Sequence, residues 1–248
     1  MMPSSRLAVA EKDYPIRPVP FTRVQVDDRF WAARLETNAK VTIPYAFKQC
    51  EETGRIDNFA VAGGLKQGKH EGLYFNDSDV VKVIEGAAYA LAIARDPELE
   101  KYVDAVIAKI AAAQEDDGYL YTARTAMTPD KMPPGGKERW SDIAGGHELY
   151  CAGHMYEAAV AYYMATGKRN LLDVALKSAN LVCNVFGPGK RCNPPGHQEI
   201  EIGLVRLYRV TGDEKYLQMA KFFLDQRGRL TQQVGFWASV GIVPAVYR

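Results

Sequence analysis

The stretch GHELYCAGHMYEAAVAYYMATG, residues 146–167, decides the fold of this chain. It opens on a short polar cluster, continues as a long run of mostly apolar residues and ends at a glycine. A second amphipathic run follows it up to residue 186. Residues 78–115 and 197–228 have the same layout, each with a polar cluster at its start. Because apolar residues recur every three or four positions in these runs, the pattern predicts three helix hairpins.

The breaks between the paired runs set a register for these repeats. Aligning Pro97, Gly167 and Gly212 superimposes two sets of residues, Tyr102, Leu172 and Leu217 in one and Ala105, Ala175 and Ala220 in the other. Stacked helix pairs place equivalent turns at the same end of an assembly, so the polar clusters should converge on one rim. We interpret this rim of histidines and carboxylates, above an apolar helical wall, as a binding site for a polar small molecule.

Composition and charge exclude several classes of function. The chain has 248 residues, of which 47% are hydrophobic and 25% charged, which is enough for one or two globular domains. Its 31 basic and 30 acidic side chains balance, so there is no electrostatic reason to expect nucleic acid or an anionic membrane as a partner. No apolar run reaches the roughly 18 residues of a membrane span.

The two ends of the chain differ from its middle. Residues 1–30 are proline-rich and predict an extended segment, residues 31–228 predict the helical domain, and residues 229–248 form an atypical tail without Asp or Glu. The apolar stretch of residues 7–10 is shorter than the roughly 7–15 residues of a signal-peptide core. The sequence therefore favours a cytoplasmic location, and it leaves open whether the reading frame is interrupted after about residue 228.

Two local predictions concern the start of the helical domain. Residues 21–26 alternate between apolar and polar side chains like a short strand. A helix should run from Trp31 to about Glu52, with a kink or a split at Pro44 and a stop at Gly54.

Two longer connections are predicted without regular structure. Residues 55–77 form a glycine-rich loop that lacks the spacing of a nucleotide-binding loop. Residues 123–146 form a long insertion, and loops of this length are often functional. The aromatic residues Tyr119, Tyr121 and Trp140 surround this insertion, where they either stack on a sugar ring or fill the core.

The four cysteines give no sign of a metal or disulfide site. Cys50, Cys151, Cys183 and Cys192 are scattered, and no pair has the Cys-x-x-Cys spacing. Cys50 and Cys151 lie in helical patterns, where a free cysteine is usually a small buried apolar residue. We therefore expect no metal ion or other cofactor in this chain.

His147 and His197 are the predicted substrate-binding residues. Each follows a glycine and opens a helix, with acidic residues close behind it. A histidine at a helix start can also be an ordinary exposed residue, but the repetition at two equivalent points favours function. Neutral imidazoles both donate to and accept from sugar hydroxyls.

Other polar residues have more ordinary explanations. His154 is seven residues beyond the first of these histidines, which is not the spacing of a helical metal pair, and is interpreted as an interhelical histidine. Asp77 and Asp79 are interpreted as helix-capping residues. Glu148 and Glu199 could flank a sugar as paired carboxylates, but their sequence spacing does not show it.

Several segments, in this order, resemble the catalytic domain of glycoside hydrolase family 127, the β-L-arabinofuranosidases once called domain of unknown function 1680. The match extends from residue 21 to about residue 228. The segments that carry it are Phe21-Thr22-Arg23-Val24 through Phe30-Trp31, Asn76-Asp77-Ser78-Asp79-Val80 through Glu85-Gly86, Asp117-Gly118-Tyr119-Leu120, His147-Glu148-Leu149-Tyr150 with Gly153-His154, and Gly196-His197-Gln198-Glu199-Ile200-Glu201.

The resemblance implies an all-α fold, a partial (α/α)6 toroid of about seven helices with its site at one mouth. It also implies that His147 and His197 touch an L-arabinofuranose ring of a glycan substrate. The family holds zinc through one Glu and three Cys, two of them adjacent, and uses one of those thiolates as nucleophile and another Glu as acid/base. This chain has no adjacent cysteines, so no catalytic or zinc residue carries over.

The sequence therefore favours an N-terminal part of a β-L-arabinofuranosidase that is inactive alone. An incomplete ring exposes an apolar edge, so we also expect self-association. Two alternatives remain at this point: another toroid enzyme, such as an unsaturated uronyl hydrolase or a sugar epimerase, and a helical-repeat carbohydrate-binding module without chemistry.

Overall fold

The structure, a computed structural model, describes residue 16 and residues 18–128 and 138–227. The predicted tail of residues 229–248 lies outside these ranges, as does most of the predicted N-terminal segment. No helix in the described part is long and apolar enough to cross a membrane.

Ten α-helices account for most of the described residues: α1 (Trp31–Thr37), α2 (Ile43–Glu52), α3 (Arg55–Ala62), α4 (Asp77–Ile93), α5 (Pro97–Ala113), α6 (Thr122–Ala126), α7 (Glu148–Thr166), α8 (Asn170–Val185), α9 (Glu199–Thr211) and α10 (Glu214–Gln226). The three predicted hairpins are confirmed as α4–α5, α7–α8 and α9–α10. The number of helices exceeds the predicted seven because one long helix is split and the connections contain the short helices α3 and α6.

The helix pairs stack as two layers of a partial (α/α)6 toroid. Helices α4, α7 and α9 pack side by side in the inner layer, and α5, α8 and α10 form the outer layer. Helix α2 packs beside α4 while α3 packs beside α5, so these two helices make a fourth pair that the repeat pattern did not predict. All three inner helices α4, α7 and α9 begin at the same rim.

The apolar stripes explain the packing, and they correct the predicted register. The stripe expected on α4 is buried, including Val80 and Ile84. Ala175 and Ala220 are buried at equivalent points of α8 and α10, but Ala105 is exposed and Val103 takes the buried place in α5. The alignment was shifted because Pro97 starts its helix, whereas Gly167 and Gly212 end the preceding helices in the left-handed conformation.

The predicted helix from Trp31 to Glu52 is split in the way that Pro44 requires. A π-helical segment, Asn38–Thr42, separates α1 from α2. Pro44 is the second residue of α2, and α2 directly follows this π-helical turn, a local widening of the kind that a missing backbone donor produces within a helix. Gly54 ends α2 with a φ of 75°, as the sequence predicted.

Two predictions about local secondary structure are wrong. Residues 21–26 form no strand: Phe21–Arg23 is a 3₁₀-helix, in which Arg23 N–H donates to Pro20 O. Residues 55–77 are not all loop, because α3 buries Ile56 and Phe59 on one face. The glycines after α3 obscured this short helical period. Helix α6 likewise lies in the predicted insertion of residues 123–146, whose residues 129–137 are outside the described ranges.

Candidate functional site

His147 is held in an unusual backbone conformation at the start of α7. Its φ is 62°, one of two positive values at described residues other than glycine, and such strain often marks a functional position. Hydrogen bonds fix the loop before it: among them, Gly145 N–H donates to Asp142 Oδ1 at 2.9 Å, and the Tyr121 hydroxyl donates to Gly146 O. The Nδ1 atom of His147 lies 2.6 Å from Gly145 O, so Nε2 points away from the backbone.

His197 meets this imidazole from the neighbouring inner helix. The Nε2 atoms of His147 and His197 are 3.2 Å apart, and their ring centroids are 5.0 Å apart. Arg227 at the end of α10 donates to His197 O at 2.8 Å and to Pro195 O at 2.9 Å. Burial, the neighbouring His147 and nearby cations lower the pKa of His197, so its ring is neutral at neutral pH. The two predicted histidines therefore share one exposed rim.

Aromatic rings surround the two histidines. The ring centroid of Tyr150 lies 4.8 Å from that of His197 and 5.4 Å from that of His147. Lys82 donates to the Tyr150 hydroxyl at 2.5 Å, which fixes the phenol ring beside the imidazoles. Tyr74 makes an edge-on contact with His147, with the two ring centroids 5.4 Å apart. The rim thus combines hydrogen-bonding nitrogens with apolar ring faces.

Below the rim the inner helices carry charged side chains where an apolar wall was expected. Arg206 Nε lies 2.8 Å from Glu157 Oε1, and Arg206 Nη1 donates to the Tyr89 hydroxyl at 3.1 Å. Tyr89 donates to Glu85 Oε1 at 2.6 Å. We call Glu85, Tyr89, Glu157 and Arg206 the inner polar network; it joins α4, α7 and α9 through one guanidinium that two carboxylates share.

His154 lies between this network and the rim, where it contacts both α7 and α9. The prediction that it is an interhelical histidine is therefore confirmed. Its Nδ1 is 3.0 Å from Glu199 Oε1 on α9 and 3.9 Å from Glu157 Oε2 on its own helix. Burial, with the nearby Lys82 cation, lowers the pKa of His154 to about 4. Burial and a hydrogen bond to Glu157 raise the pKa of Glu199 to about 8. The contact therefore joins two neutral groups rather than an ion pair.

Two glycines let α7 and α9 approach closely enough for this contact. A Cβ added at Gly153 would lie 2.6 Å from the backbone carbonyl of Glu199, and one at Gly203 would lie 2.7 Å from Gly153 O. Any larger side chain would push the helices apart, since real Cβ atoms do not approach so closely. The close crossing brings the first turn of α9 against His154.

Glu148 is a structural carboxylate, so the hypothetical pair with Glu199 does not flank a sugar. Its side chain is 2% exposed and lies 3.6 Å from Arg124. It accepts from Trp140 N–H at 3.0 Å and from the Tyr119 hydroxyl at 2.5 Å. These contacts occupy both oxygens and tie down the loop before His147.

The aromatic residues around the insertion belong to the core rather than to a sugar-stacking surface. Tyr119, Tyr121 and Trp140 are all buried. The Tyr119 and Trp140 ring centroids are 5.2 Å apart in an edge-on contact, and Trp140 contacts Phe186 in the same way at 5.5 Å. The aromatic residue beside the two histidines that the sequence analysis missed is Tyr150.

Asp77 and Asp79 lie in the first turn of α4 but do not cap it through their side chains. The Asp77 carboxylate accepts from the backbone N–H of Thr122 at 2.8 Å and from its hydroxyl, which joins α4 to α6. Burial raises the pKa of Asp77 to about 6. Asp79 pairs with Arg55 at 2.7 Å. The capping prediction is wrong, although both acids sit where they complement the helix dipole.

The described residues do not fit the zinc site that the family resemblance implies. Cys50 and Cys151 are buried, and burial raises the pKa of Cys50 to about 11 and that of Cys151 well above its ordinary value. A thiol with a raised pKa is a poor nucleophile and a poor metal ligand. Within the described ranges, three side chains lie close enough together to hold a metal ion, namely His154, Glu157 and Glu199, and none of them is a cysteine.

Comparison with known proteins places this chain in a family of glycosidases. Residues 23–235 match the family profile described as the β-L-arabinofuranosidase GH127 catalytic domain. A non-reducing end β-L-arabinofuranosidase of Bifidobacterium longum subsp. longum is 35% identical over 230 residues, which cover 83% of this chain and 34% of that enzyme.

Two solved structures share the arrangement of helices. A GH127 β-arabinofuranosidase is 54% identical with a TM-score of 0.80, over 87% of this chain and 34% of its own. The GH127 β-L-arabinofuranosidase of Geobacillus stearothermophilus T6 is 41% identical with a TM-score of 0.78, over 90% and 36% of the two chains. The chain thus spans about a third of the length of these relatives.

Proposed function

The chain belongs to the β-L-arabinofuranosidases of glycoside hydrolase family 127, and on that premise we propose that its helical arc binds the β-L-arabinofuranosyl group of an arabinose-containing glycan. Membership of this family sets aside the unsaturated uronyl hydrolase and sugar epimerase alternatives.

The observation that supports this proposal is the 3.2 Å approach of the His147 and His197 Nε2 atoms at an exposed rim. Because Gly145 O can only accept, His147 Nδ1 carries the proton and its neutral Nε2 is an acceptor, whereas His197 Nε2 can donate. The pair therefore offers an acceptor and a donor to neighbouring hydroxyls of a furanose. The half-buried ring of Tyr150, whose hydroxyl is held by Lys82, offers an apolar face for the C–H side of the sugar.

We further propose that this chain orients the sugar without cleaving the glycosidic bond. Hydrolysis with retention needs a nucleophile and an acid about 5 Å apart across the bond. Glu148 is locked in the loop, and Cys50 and Cys151 are buried with raised pKa values. Zinc and thiolate chemistry of the family type therefore has no counterpart among these residues, and we assign them no bond-breaking step.

Ligand-detected NMR titration with methyl β-L-arabinofuranoside tests the binding role. We expect His147→Ala and His197→Ala each to weaken binding by about 3- to 10-fold, the range for one lost neutral hydrogen bond. Lys221→Ala on the exposed face of α10, where Lys221 pairs with Asp225 of its own helix, is the control and should bind normally. Unchanged binding by both histidine variants would overturn the proposal.

An assay with an aryl β-L-arabinofuranoside tests the absence of turnover. The chain should release no more aryl alcohol than buffer, since positioning groups alone contribute little without nucleophile and acid. Turnover that His147→Ala abolishes would show that the catalytic groups lie within this chain. It would also exclude a purely non-catalytic binding module.

Self-association is a further proposal, based on the two ends of the arc. Trp31 and Tyr45 are each 60% exposed at the α1–α2 end, and Ile202 and Leu224 are about half exposed at the α9–α10 end. Large apolar side chains at both ends favour contacts between copies. Sedimentation velocity should show a larger species as concentration rises, and a monomer at every concentration would contradict this.

A further inference from the structure

Three side chains of the inner wall, His154, Glu157 and Glu199, have an arrangement that the sugar site does not use. Their ligand atoms all lie within 4.8 Å of one another. His154 and Glu157 are three residues apart on α7 and so share a face, while Glu199 reaches them from the first turn of α9. We call these three residues the acid–histidine cluster.

We propose that the acid–histidine cluster is a binding site for a first-row divalent cation such as Zn²⁺ or Co²⁺. One imidazole nitrogen and two carboxylate oxygens are ligands that such ions accept. Its donor set contains no sulfur, so it differs from the family zinc site of one Glu and three Cys. The proposal does not depend on the sugar-binding role of the rim.

The distances within the cluster are compatible with a shared metal ion. Two ligand atoms that are each 2.0–2.2 Å from one ion lie at most about 4.4 Å apart. The contacts of His154 Nδ1 with Glu199 Oε1, at 3.0 Å, and with Glu157 Oε2, at 3.9 Å, are already within that limit. All three ligand atoms lie within 4.8 Å of one another, so a shared ion requires at most a small inward rotation of the carboxylates.

An unsatisfied oxygen points into the cluster. Glu199 Oε1 is shielded from solvent and forms no hydrogen bond with the described residues, despite its 3.0 Å distance from His154 Nδ1. A buried carboxyl oxygen without a partner costs roughly 1–3 kcal/mol. A cation between the nitrogen and the two carboxylates would satisfy this oxygen directly.

The surroundings hold the ligands in place without occupying their metal-facing atoms. Arg206 binds the other oxygen of Glu157, Oε1, at 2.8 Å and leaves Oε2 facing His154. A neighbour of this kind orients a carboxylate ligand. The Lys82 cation is held at the Tyr150 hydroxyl and at Ser78 Oγ, so it does not pair with the cluster.

The alternative occupant is a single proton shared by the two carboxyl groups. Glu157 and Glu199 are hydrogen-bonded neighbours, and a shared proton also removes the repulsion between two carboxylates. A metal ion would also reach Glu199 Oε1, which has no hydrogen-bond partner among the described residues. Metal titration therefore separates these two possibilities.

Titration of the full chain with Co²⁺, followed by calorimetry and visible absorption, tests the proposal. We expect one ion per chain and absorption bands of nitrogen and oxygen ligation. Glu199→Gln, a neutral isosteric change, and His154→Ala should each weaken binding by at least about tenfold. Circular dichroism of both variants confirms that the helices are intact.

Two control variants separate this site from other possible ligands. The double variant His147→Ala/His197→Ala should bind Co²⁺ normally, because the rim imidazoles are not part of the cluster. Cys183→Ser/Cys192→Ser should also bind normally, since these half-exposed thiols lie elsewhere. The proposal would be overturned if either control lost Co²⁺ binding or if thiolate absorption bands appeared. Unchanged Co²⁺ binding by Glu199→Gln and His154→Ala would also overturn it.

Discussion

The Nε2 atoms of His147 and His197 lie 3.2 Å apart, although 50 residues separate them in the chain. Each imidazole is delivered by the start of an inner helix, and the two helices cross closely because Gly153 and Gly203 carry no side chains. The rim geometry is therefore a property of the helix packing, and changes outside the rim should alter it.

Arg227 is predicted to position His197. Its guanidinium donates to His197 O, to Pro195 O and to Glu201 Oε1, so it fixes the backbone on both sides of Gly196. Arg227→Lys keeps the charge but loses the planar donor fork. We expect the affinity for methyl β-L-arabinofuranoside to fall about 3- to 10-fold, with a broadened His197 ring signal in NMR spectra.

The matched control for this change is Arg169→Lys. Arg169 pairs with Asp173 on an exposed face of α8, far from the rim. It should leave both the affinity and the His197 signal unchanged. If Arg227→Lys lowers only the thermal stability and not the affinity, Arg227 has a structural role and does not position the histidine.

Gly153→Ala is predicted to separate the inner helices α7 and α9. The added Cβ would lie 2.6 Å from the Glu199 carbonyl and 2.8 Å from Ile200 N, and neither backbone group can move without shifting α9. Overpacking of this kind costs about 1–3 kcal/mol. Urea unfolding followed by circular dichroism should show this loss in the free energy of unfolding.

Gly86→Ala is the control for helix propensity. Gly86 lies inside α4, and nothing comes within 4 Å of an added Cβ there. The same substitution should therefore stabilise the protein by about 0.5–1 kcal/mol. Equal effects of the two variants would mean that the close crossing of α7 and α9 is not required.

The helix pairs were predictable because their signal is long and periodic. Residues 146–167 and the runs aligned with them carry apolar stripes of many residues, and the left-handed glycines Gly167 and Gly212 end the first helices where the sequence predicted. Helix α3 was missed because it has eight residues and is followed by a glycine-rich segment. Its apolar residues span only two turns, which is too short for a helical period to be recognised in the sequence.

The rim histidines were predictable from repetition, but the wall beneath them was not. Glu85, Glu157 and Arg206 each have apolar or small neighbours in the sequence, and a charged residue in such a run resembles a surface position. Their burial depends on ion pairs between different helices, and no local pattern encodes such pairs. The spacing of Lys82, Glu85 and Tyr89 along one face of α4 was the available signal.

Tyr119→Phe is predicted to loosen the loop before His147. The Tyr119 hydroxyl donates to Glu148 Oε1 at 2.5 Å in a buried setting. Removing the donor leaves a carboxylate short of one bond, which costs about 1.5–3 kcal/mol for a hydrogen bond to a charged group. Chemical denaturation measures the loss, and proteolysis should cut the variant faster near residue 140.

Tyr102→Phe provides the comparison. Tyr102 donates to Glu51 Oε1 at 2.7 Å on an exposed surface, where water replaces the lost partner. Its free energy of unfolding should change by less than about 0.5 kcal/mol. A similar loss in both variants would show that Glu148 is not the anchor of the loop.

His70 is predicted to make the stability of the protein depend on pH. Its side chain is 2% exposed, and neither ring nitrogen has a hydrogen-bond partner among the described residues. Burial lowers its pKa from 6.5 to about 4. Between these values the unfolded chain binds more protons than the folded one, so the free energy of unfolding falls as the pH falls from 6.5 towards 4.

The shift of His70 corresponds to a loss on the order of 3 kcal/mol once the pH is below its folded pKa. His70→Leu removes the titrating group, so urea unfolding of the variant and the parent should diverge as the pH is lowered from about 7.5 to about 4.5. At the higher pH the variant should be at least as stable, because an apolar side chain leaves no unsatisfied nitrogen. His154 and His197 titrate in both proteins and cancel from the difference. Parallel stability curves over this range would mean that His70 is accessible to water in the folded state.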